Sequence, residues 1–214
     1  VRRLMRAQAR AASQPACPPP TMTTSADCSI ATIVSGQTNV KVLVIGGGGR
    51  EHALAWRLKK SSSVSEVHIA PGNPGTESIA TPHASSDYVQ LAEKLGVDLT
   101  VVGPEAPLVA GVVDQFRAQG RYIVGPTAAN AALEGSKVHS KRFMEKIGVP
   151  TARFAAVANE SEVRDAPRNV RLPVVLKTDG LAAGKGVIIA QTKDEASSAL
   201  TALAYPMVIE EFLG

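Results

Sequence analysis

The stretch VKVLVIGGGGREHALAW, residues 40–56, joins the signals of a buried strand, a glycine loop and a helix. Residues 40–45 form an apolar, mostly β-branched run, and the glycines at 46–49 end it. Residues 53–60 follow with Leu54 and Leu58 at helical spacing on one face. A strand, a glycine turn and a helix are the opening of a βαβ unit, so this stretch predicts an α/β fold.

The same alternation continues along the chain to about residue 124. Further strands are predicted at 67–70, 99–102 and 122–124, and further helices at 88–95 and 109–119. Strands separated by helices or long connections predict a doubly wound parallel sheet with helices on both faces. Ligands bind such sheets at the carboxyl ends of the strands. The loops there are GGGGREH, PGNPG, GPEAP and GPT.

A dinucleotide-binding motif, GxGxxG, is one alternative for the first glycine loop. Starting the motif at Gly46 places Glu51 at its last glycine, and starting it at Gly47 places His52 there. The second strand ends at Ala70 and Pro71, where a ribose-binding acid would be expected. The sequence therefore disfavours a dehydrogenase. Glycine amides at a helix start still suit a small anionic ligand, although a tight turn without a ligand remains an alternative.

A second glycine-rich segment, LPVVLKTDGLAAGKGVIIA, occupies residues 172–190. Two apolar runs flank a loop that contains the residues Lys177, Gly180, Gly184, Lys185 and Gly186. Glycine lets backbone N–H groups approach a polyphosphate, and the lysines can offset its charge. The segment predicts a hairpin that covers the phosphates of a nucleotide.

A Walker P-loop, GxxxxGK[ST], is the rival motif for this segment. Three residues separate Gly180 from Gly184 where the motif needs four, and Gly186 occupies the hydroxyl position. The following run is strand-like, whereas a P-loop leads into a helix. A hairpin is therefore favoured, and a glycine-rich hairpin without a ligand remains the simpler alternative.

The net charge of +4 lies mostly in the first 38 residues, where four arginines face one aspartate. The remaining 176 residues are almost neutral and contain few aromatic residues, which disfavours a nucleic-acid interface. Residues 1–38 are rich in Arg, Ala, Ser, Thr and Pro. This composition predicts a disordered leader that acts as a transit peptide for a plastid or a mitochondrion. An ordinary disordered tail on a cytoplasmic protein is the alternative.

Cysteine and histidine placement disfavours a metal site. Both cysteines, Cys17 and Cys28, fall in the leader, so neither a core disulfide nor a thiolate metal site is expected. The four histidines have no metal-ligand spacing. No apolar run approaches the length of a membrane span, so no membrane partner is predicted.

Five motifs occur in one family's order: VKVLVIGGGGREHALAW, APGNPGT, VVGPEAPLVAGVVD, GPTAANAALEGSK and KTDGLAAGKGVI. Residues 40–214 thereby resemble the phosphoribosylamine-glycine ligases, or glycinamide ribonucleotide synthetases, of the ATP-grasp superfamily. The resemblance implies an enzyme of de novo purine biosynthesis. It would join glycine to 5-phosphoribosylamine through glycyl phosphate, with release of ADP and phosphate. It also implies a substrate-binding α/β domain at 39–138 and the first, incomplete part of an ATP-grasp domain at 139–214.

The resemblance assigns residues to two binding sites. Phosphoribosylamine would be held by the residues Gly48, Gly49, Arg50, Glu51, Gly72, Asn73, Gly103, Pro104 and Glu105. ATP would be held by the residues Lys137, Lys177, Gly180, Gly184, Lys185, Gly186, Glu210, Glu211, Phe212 and Leu213. Without the resemblance, Glu105 could equally be a helix-start acid and Lys137 a solvated surface lysine.

Two departures from the family bear on activity. The family's acidic and amide ligands for Mg²⁺ (or Mn²⁺) are expected beyond residue 214, so no metal ligand is assigned in this chain. Residues 197–206 also form a shorter segment before MVIEEFL than the family has. A ligase, a catalytically incomplete fragment of that ligase and an unrelated nucleotide-binding α/β module are the remaining hypotheses. Only small-molecule partners are expected, and oligomeric state is left open.

Overall fold

The computed structural model describes residues 39–165, 171–182 and 185–213. The predicted leader, at residues 1–38, and Gly184 of the predicted phosphate loop lie outside the described residues. Two β-sheets organise the described chain, one with five strands and one with four. No helix in these residues has both the length and the apolar character needed to cross a bilayer.

The first sheet is entirely parallel, with the strand order β3-β2-β1-β4-β5. Its strands are β1 (Val40–Gly46), β2 (Val64–Pro71), β3 (Thr81–Pro82), β4 (Leu99–Val102) and β5 (Ile123–Val124). Its helices are α1 (Gly49–Lys59), α2 (Tyr88–Leu95), α3 (Glu105–Val109) and α4 (Val112–Ala118). A short 3₁₀ helix, Pro74–Thr76, follows β2.

Helices cover both faces of this sheet. Leu43 and Ile45 of β1 pack in a cluster with Phe116 of α4, whereas Val42 and Val44 pack in another with Ala55 of α1. All four β1 side chains are fully buried. A strand buried on both faces reads as a continuous apolar run, which is why residues 40–45 predict it so directly. The predicted doubly wound parallel sheet is confirmed.

The first helix, predicted at 53–60, begins earlier, at Gly49, and ends at Lys59. Three further features of this region differ from the prediction. The single helix predicted at 109–119 is wrong, because Gly111, with φ of 83°, separates α3 from α4. The turn predicted at 103–107 contains the start of α3 at Glu105. Strand β3 was not predicted, because its two residues, Thr81–Pro82, are too short to show an alternating pattern.

The second sheet is antiparallel, with the order β6-β9-β7-β8. Helices α5 (Ala128–Gly135) and α6 (Lys137–Ile147) precede it. Its strands are β6 (Phe154–Val157), β7 (Val174–Thr178), β8 (Val187–Ala190) and β9 (Met207–Glu211), with helices α7 (Glu160–Asp165) and α8 (Lys193–Ala202) between them. The predicted hairpin is confirmed as β7 and β8, whereas the strand predicted at 207–213 ends at Glu211.

One face of the second sheet packs on α8. Leu176 of β7 and Met207 of β9 join Ala199 of α8 in a buried cluster. Because side chains alternate along a strand, Lys177 and Glu210 project from the opposite face. The sheet therefore presents two ionisable side chains on the side away from α8.

Candidate active site

A cavity of about 600 Å³ lies between the two sheets. Pro104 and Glu105, at the end of β4, form one wall, and the hairpin loop forms another through Gly180 and Gly186. Three lysines contribute to its lining: Lys137, Lys141 and Lys177. The cavity therefore adjoins a carboxyl-end loop of the first sheet, and its ionisable lining consists of these three lysines and two glutamates, Glu105 and Glu134.

Glu51 shapes the loop that follows β1. Its carboxylate accepts a 2.6 Å hydrogen bond from the Gly48 N–H, and the residue is only 4% exposed. The same carboxylate packs against Gly103, where any β-carbon would overlap it. Glu51 thus lies behind the loop, while Gly49 faces open space.

Arg50 connects the β1 loop to the β4 loop. Its Nη1 donates a 2.5 Å hydrogen bond to the Gly103 carbonyl oxygen, and its Nη2 lies 3.8 Å from the Glu105 carboxylate. The Arg50 side chain is nevertheless 63% exposed. A guanidinium with five donors that uses so few of them keeps capacity for an anionic ligand.

Asn73 joins the β2 loop to the β1 loop. Its side-chain amide donates to the Gly47 carbonyl oxygen at 2.9 Å and accepts from the Gly75 N–H at 2.9 Å. Gly72 has a φ of 76° and donates its N–H to the Gly46 carbonyl oxygen. The nine residues assigned to phosphoribosylamine therefore meet at the carboxyl ends of three adjacent strands, β2, β1 and β4.

Asp179 and Lys137 tie the hairpin loop to the start of α6. The Asp179 carboxylate accepts hydrogen bonds from the Ser136 hydroxyl and the Val138 N–H, and Lys137 Nζ donates to the Gly180 carbonyl oxygen at 2.7 Å. Burial alone would raise the pKa of Asp179, but these hydrogen bonds outweigh it and hold the pKa below its usual value. Helix α6 and the loop therefore share one anchor.

Glu210 is a buried carboxylate with two lysine partners. Lys141 Nζ lies 2.5 Å from its Oε2, and Lys177 forms an ion pair with its Oε1. Burial would raise the pKa of Glu210, but the hydrogen bonds and charges of the two lysines lower it below the usual value. The carboxylate is therefore ionised at neutral pH.

Lys141 is the residue of this cluster that the sequence analysis missed. It lies one turn after Lys137 on α6, so both lysines face the same cavity. That i, i+4 spacing was the available signal. Sequence could not show, however, that Lys141 would meet Glu210 from a strand far along the chain.

Of the remaining described residues assigned to ATP, Gly186 lines the cavity, whereas Lys185, Glu211, Phe212 and Leu213 do not. Lys185 is exposed in the hairpin loop, and Gly186 accepts the Thr178 N–H through its carbonyl oxygen. Glu211 accepts two 2.9 Å hydrogen bonds, from the backbone N–H and the Nε of Arg153. Phe212 and Leu213 follow β9 with exposed side chains.

Potential metal-ligating side chains were sought across the described residues. Within residues 39–165, 171–182 and 185–213, no group of three or more His, Cys, Asp or Glu residues could hold a metal ion. The described residues supply cationic partners for phosphate but do not fit a Mg²⁺ site, which needs carboxylate oxygens.

Two family models match adjacent parts of the chain. The N domain of phosphoribosylglycinamide synthetase matches residues 40–134, and the ATP-grasp (A) domain of the same enzyme matches residues 135–213. The chain belongs to the phosphoribosylglycinamide synthetase family. The resemblance inferred from the sequence motifs is thereby confirmed, as is the assignment of an ATP-grasp region after the parallel sheet.

Curated relatives of this synthetase family cover most of the chain. It is 52% identical over 168 residues to a phosphoribosylamine–glycine ligase of Xylella fastidiosa. The aligned region covers 75% of this chain and 38% of that relative. The chain is 46% identical over 191 residues to the ligase of Ralstonia nicotianae, covering 81% of the chain and 44% of the relative. The chain therefore spans about two fifths of the length of these relatives.

Solved structures agree with this family. The phosphoribosylamine–glycine ligase of Thermotoga maritima is 35% identical, with a TM-score of 0.64, and covers 82% of this chain and 44% of its own. N5-carboxyaminoimidazole synthetase of Staphylococcus aureus, solved with ADP, has a TM-score of 0.65 at 16% identity. The match covers 83% of this chain and 48% of the synthetase. At that identity, the second likeness shows the fold alone.

Proposed function

We propose that the protein containing this chain joins glycine to 5-phosphoribosylamine at the expense of ATP. The products are glycinamide ribonucleotide, ADP and phosphate, in de novo purine biosynthesis. The observation that carries this proposal is a single cavity lined both by Glu105, at the start of α3, and by Lys177 of the hairpin. Family membership supplies the identity of the substrates that would meet there.

The lysines of the cavity support ATP as one substrate. Lys137, Lys141 and Lys177 line it, and the hairpin loop borders it at Gly180 and Gly186. Lysine is a mobile point charge that serves well as a phosphate partner. Lys137 and Lys177 would bind the polyphosphate, and the backbone of the residues Glu210, Glu211, Phe212 and Leu213 would border the base.

Arg50 and the loops around it support a phosphorylated substrate. Its exposed guanidinium stands at the amino end of α1, where helix amides also favour an anion. Gly49, where a β-carbon would meet open space, leaves room for a close approach of the ligand. Glu105, which lies near Arg50, would accept a hydrogen bond from the amine of phosphoribosylamine.

The proposed chemistry has two balanced steps. A carboxylate oxygen of glycine attacks the γ-phosphorus of ATP, so ADP leaves and glycyl phosphate forms. The amine of phosphoribosylamine then attacks the carbonyl carbon; a C–N bond forms, phosphate leaves and the amine loses a proton. In reactions of this kind, positioning of the reactants and neutralisation of phosphate charge provide most of the lowering of the activation barrier.

The Mg²⁺ (or Mn²⁺) expected with ATP has no carboxylate cluster among the described residues. We therefore assign it to residues of a longer protein, because the relatives extend well beyond the matched region. A second candidate function follows from the same observation. The chain by itself would bind ATP without turnover.

Phosphate release tests both candidates. The chain of 214 residues is incubated with ATP, Mg²⁺, glycine and freshly generated phosphoribosylamine, beside a Thermotoga maritima ligase control. We expect nucleotide binding but no release of phosphate above background from the chain, and turnover from a longer protein that contains it. Turnover by the chain would refute the incomplete-fragment candidate. Failure of a longer protein to form glycinamide ribonucleotide would refute the ligase.

For the leader, we propose import into a plastid or a mitochondrion. Support comes from its composition alone, which is rich in Arg and Ser and contains a single acidic residue. A fluorescent protein fused after residue 38 should enter one of these organelles, and diffuse cytoplasmic fluorescence would contradict the proposal.

A further inference from the structure

Glu210 is shared unequally by its two lysines. Lys141 is only 12% exposed in its side chain and also donates to the Thr151 hydroxyl at 2.7 Å and the Ala152 carbonyl oxygen at 3.4 Å. Two hydrogen bonds and the ion pair with Glu210 thus surround this ammonium. Lys141 also lies 5.6 Å from the centre of the Phe154 ring. Lys141 is therefore held in place from several sides.

Lys177 has a looser environment. Its side chain is 31% exposed and lines the cavity, and Glu210 is its one ion-pair partner among the residues that the structure describes. If Lys177 left Glu210, it would lose one ion pair. If Lys141 left, it would lose its contacts with Thr151 and Ala152 as well. Lys177 is thus the member of the pair that can move toward an anion in the cavity.

We propose that Lys141 is a positioning residue that stays on Glu210 and thereby releases Lys177 to bind the phosphates of a nucleotide. The inference rests on the proposed function only for the identity of that nucleotide. Its physical basis is the burial of Glu210, whose carboxylate cannot be left without a counter-ion at an acceptable cost. Two cations on one buried carboxylate leave one of them available.

Variants of Lys141 and Glu210 can distinguish a positioning role of Lys141 from a role in packing. In Lys141→Met the aliphatic stem is kept and the charge is lost, so Glu210 retains Lys177 as its sole counter-ion. Adding Glu210→Gln removes the carboxylate that retains Lys177. A residue with only a packing role would not show this reversal.

Nucleotide affinity gives the first readout, measured by calorimetry on the full chain with ATP and with adenosine. K141M should weaken ATP binding about tenfold or more, because Lys177 must first break its only ion pair. Adenosine, which has no phosphate, should bind both proteins alike. In K141M/E210Q, the ratio of ATP affinity to adenosine affinity should return most of the way to its wild-type value. The matched control is K146M, which removes an exposed lysine from the same helix.

Amine reactivity gives a second readout that needs no nucleotide. Reductive methylation of Lys177 is followed by mass spectrometry, since a methylated Lys177 blocks tryptic cleavage and joins the peptides 172–177 and 178–185. Relative to exposed Lys94, the Lys177 rate should fall severalfold in K141M and rise above wild type in both E210Q and K141M/E210Q. Both of these variants lack the buried carboxylate, and K141M/E210Q lacks the Lys141 ammonium as well, so the double variant remains informative if K141M does not fold.

The two readouts separate the possible failures. If wild type binds no ATP but the methylation rates follow the expected order, ATP binding by this chain is refuted, whereas the retention of Lys141 on Glu210 and the availability of Lys177 stand. The proposal is overturned if Lys177 reacts equally fast in wild type and K141M, or equally slowly in K141M and K141M/E210Q. It is also overturned if K141M weakens ATP and adenosine to the same extent.

Discussion

Lys137 Nζ lies 2.7 Å from the carbonyl oxygen of Gly180, so the first residue of α6 is hydrogen-bonded to the loop of the β7–β8 hairpin. The Asp179 carboxylate completes the link by accepting from the Val138 N–H and the Ser136 hydroxyl. A lysine assigned to phosphate and the loop assigned to cover phosphate are therefore hydrogen-bonded to each other. Several testable consequences concern this link and the loops of the first sheet.

Replacing Asp179 should damage both stability and nucleotide binding. Asp179→Ala removes an acceptor from the amino end of α6, which costs about 1 kcal/mol in typical helix caps. It also removes the hydrogen bonds by which Asp179 ties the hairpin loop to Ser136 and Val138, so ATP binding should weaken. Asp87→Ala is the matched control, because Asp87 caps α2 in the first sheet through the Gln90 N–H. That control should lower the urea midpoint but leave ATP affinity unchanged, and equal ATP affinities in both variants would contradict the link.

Arg50 should matter for the sugar phosphate and not for ATP. Arg50→Met removes an exposed guanidinium beside Glu105, and charged hydrogen bonds of this kind contribute about 1.5–3 kcal/mol. In a longer, active protein the KM for phosphoribosylamine should rise about tenfold to a hundredfold, with the KM for ATP unchanged. Arg57→Met, an exposed change on the same helix, is the control. A rise in both KM values would point to a general loss of structure.

Gly103 should not tolerate a methyl group. A β-carbon there would overlap the buried Glu51 carboxylate, and overpacking of this kind typically costs about 1–3 kcal/mol. Gly103→Ala should therefore lower the free energy of unfolding in urea. Gly49→Ala, where a β-carbon meets open space at the start of α1, should leave it unchanged or raise it slightly. An unchanged unfolding midpoint for Gly103→Ala would show that the Glu51 packing is misplaced.

His68 should make the chain less stable in mild acid. Burial lowers the pKa of His68, and the nearby charge of His83 lowers it further, against the opposing effect of Glu66. Lys41 also faces the group and favours the neutral form. As pH falls below the unfolded value of about 6.5, the unfolded chain takes up a proton that the folded chain resists. Stability from this source is thus complete above that pH and is lost as pH falls toward the folded pKa.

Urea unfolding between pH 7.5 and 5.5 measures this dependence. In His68→Phe the titrating group is absent, so the slope of unfolding free energy against pH should be smaller over this interval. The carboxylates with lowered pKa values, Glu66, Asp179, Glu210 and Glu211, contribute only at more acidic pH. An unchanged slope in His68→Phe would assign the dependence to other groups.

Local patterns explain how far the fold could be predicted. Strand β1 and the β7–β8 hairpin have apolar runs bounded by glycines, so both were predicted from residues alone. Gly111 interrupts an apolar stretch whose periodicity continues across it, which hid the break between α3 and α4. Strand β3 exists only because β2 offers it an edge to pair with.

Site residues follow the same division. The glycine loops and Lys177 were predicted because motifs mark them along the sequence. Asp179 and Ser136, which are hydrogen-bonded, lie 43 positions apart in the sequence. Lys141 and Glu210 are separated by an even longer stretch of chain. Such pairs depend on how two sheets and a helix pack, which no local spacing encodes. Sequence therefore predicted the loops and missed the electrostatic partners that hold them.

The central claim is that the lysine-lined cavity binds ATP through its phosphates. Calorimetric titration of the full chain with ATP, for wild type and Lys177→Met, tests it most directly. Wild type should bind, and Lys177→Met should bind about tenfold more weakly or worse while retaining adenosine binding. Absence of ATP binding by wild type, or equal ATP affinity in the two proteins, would contradict the claim.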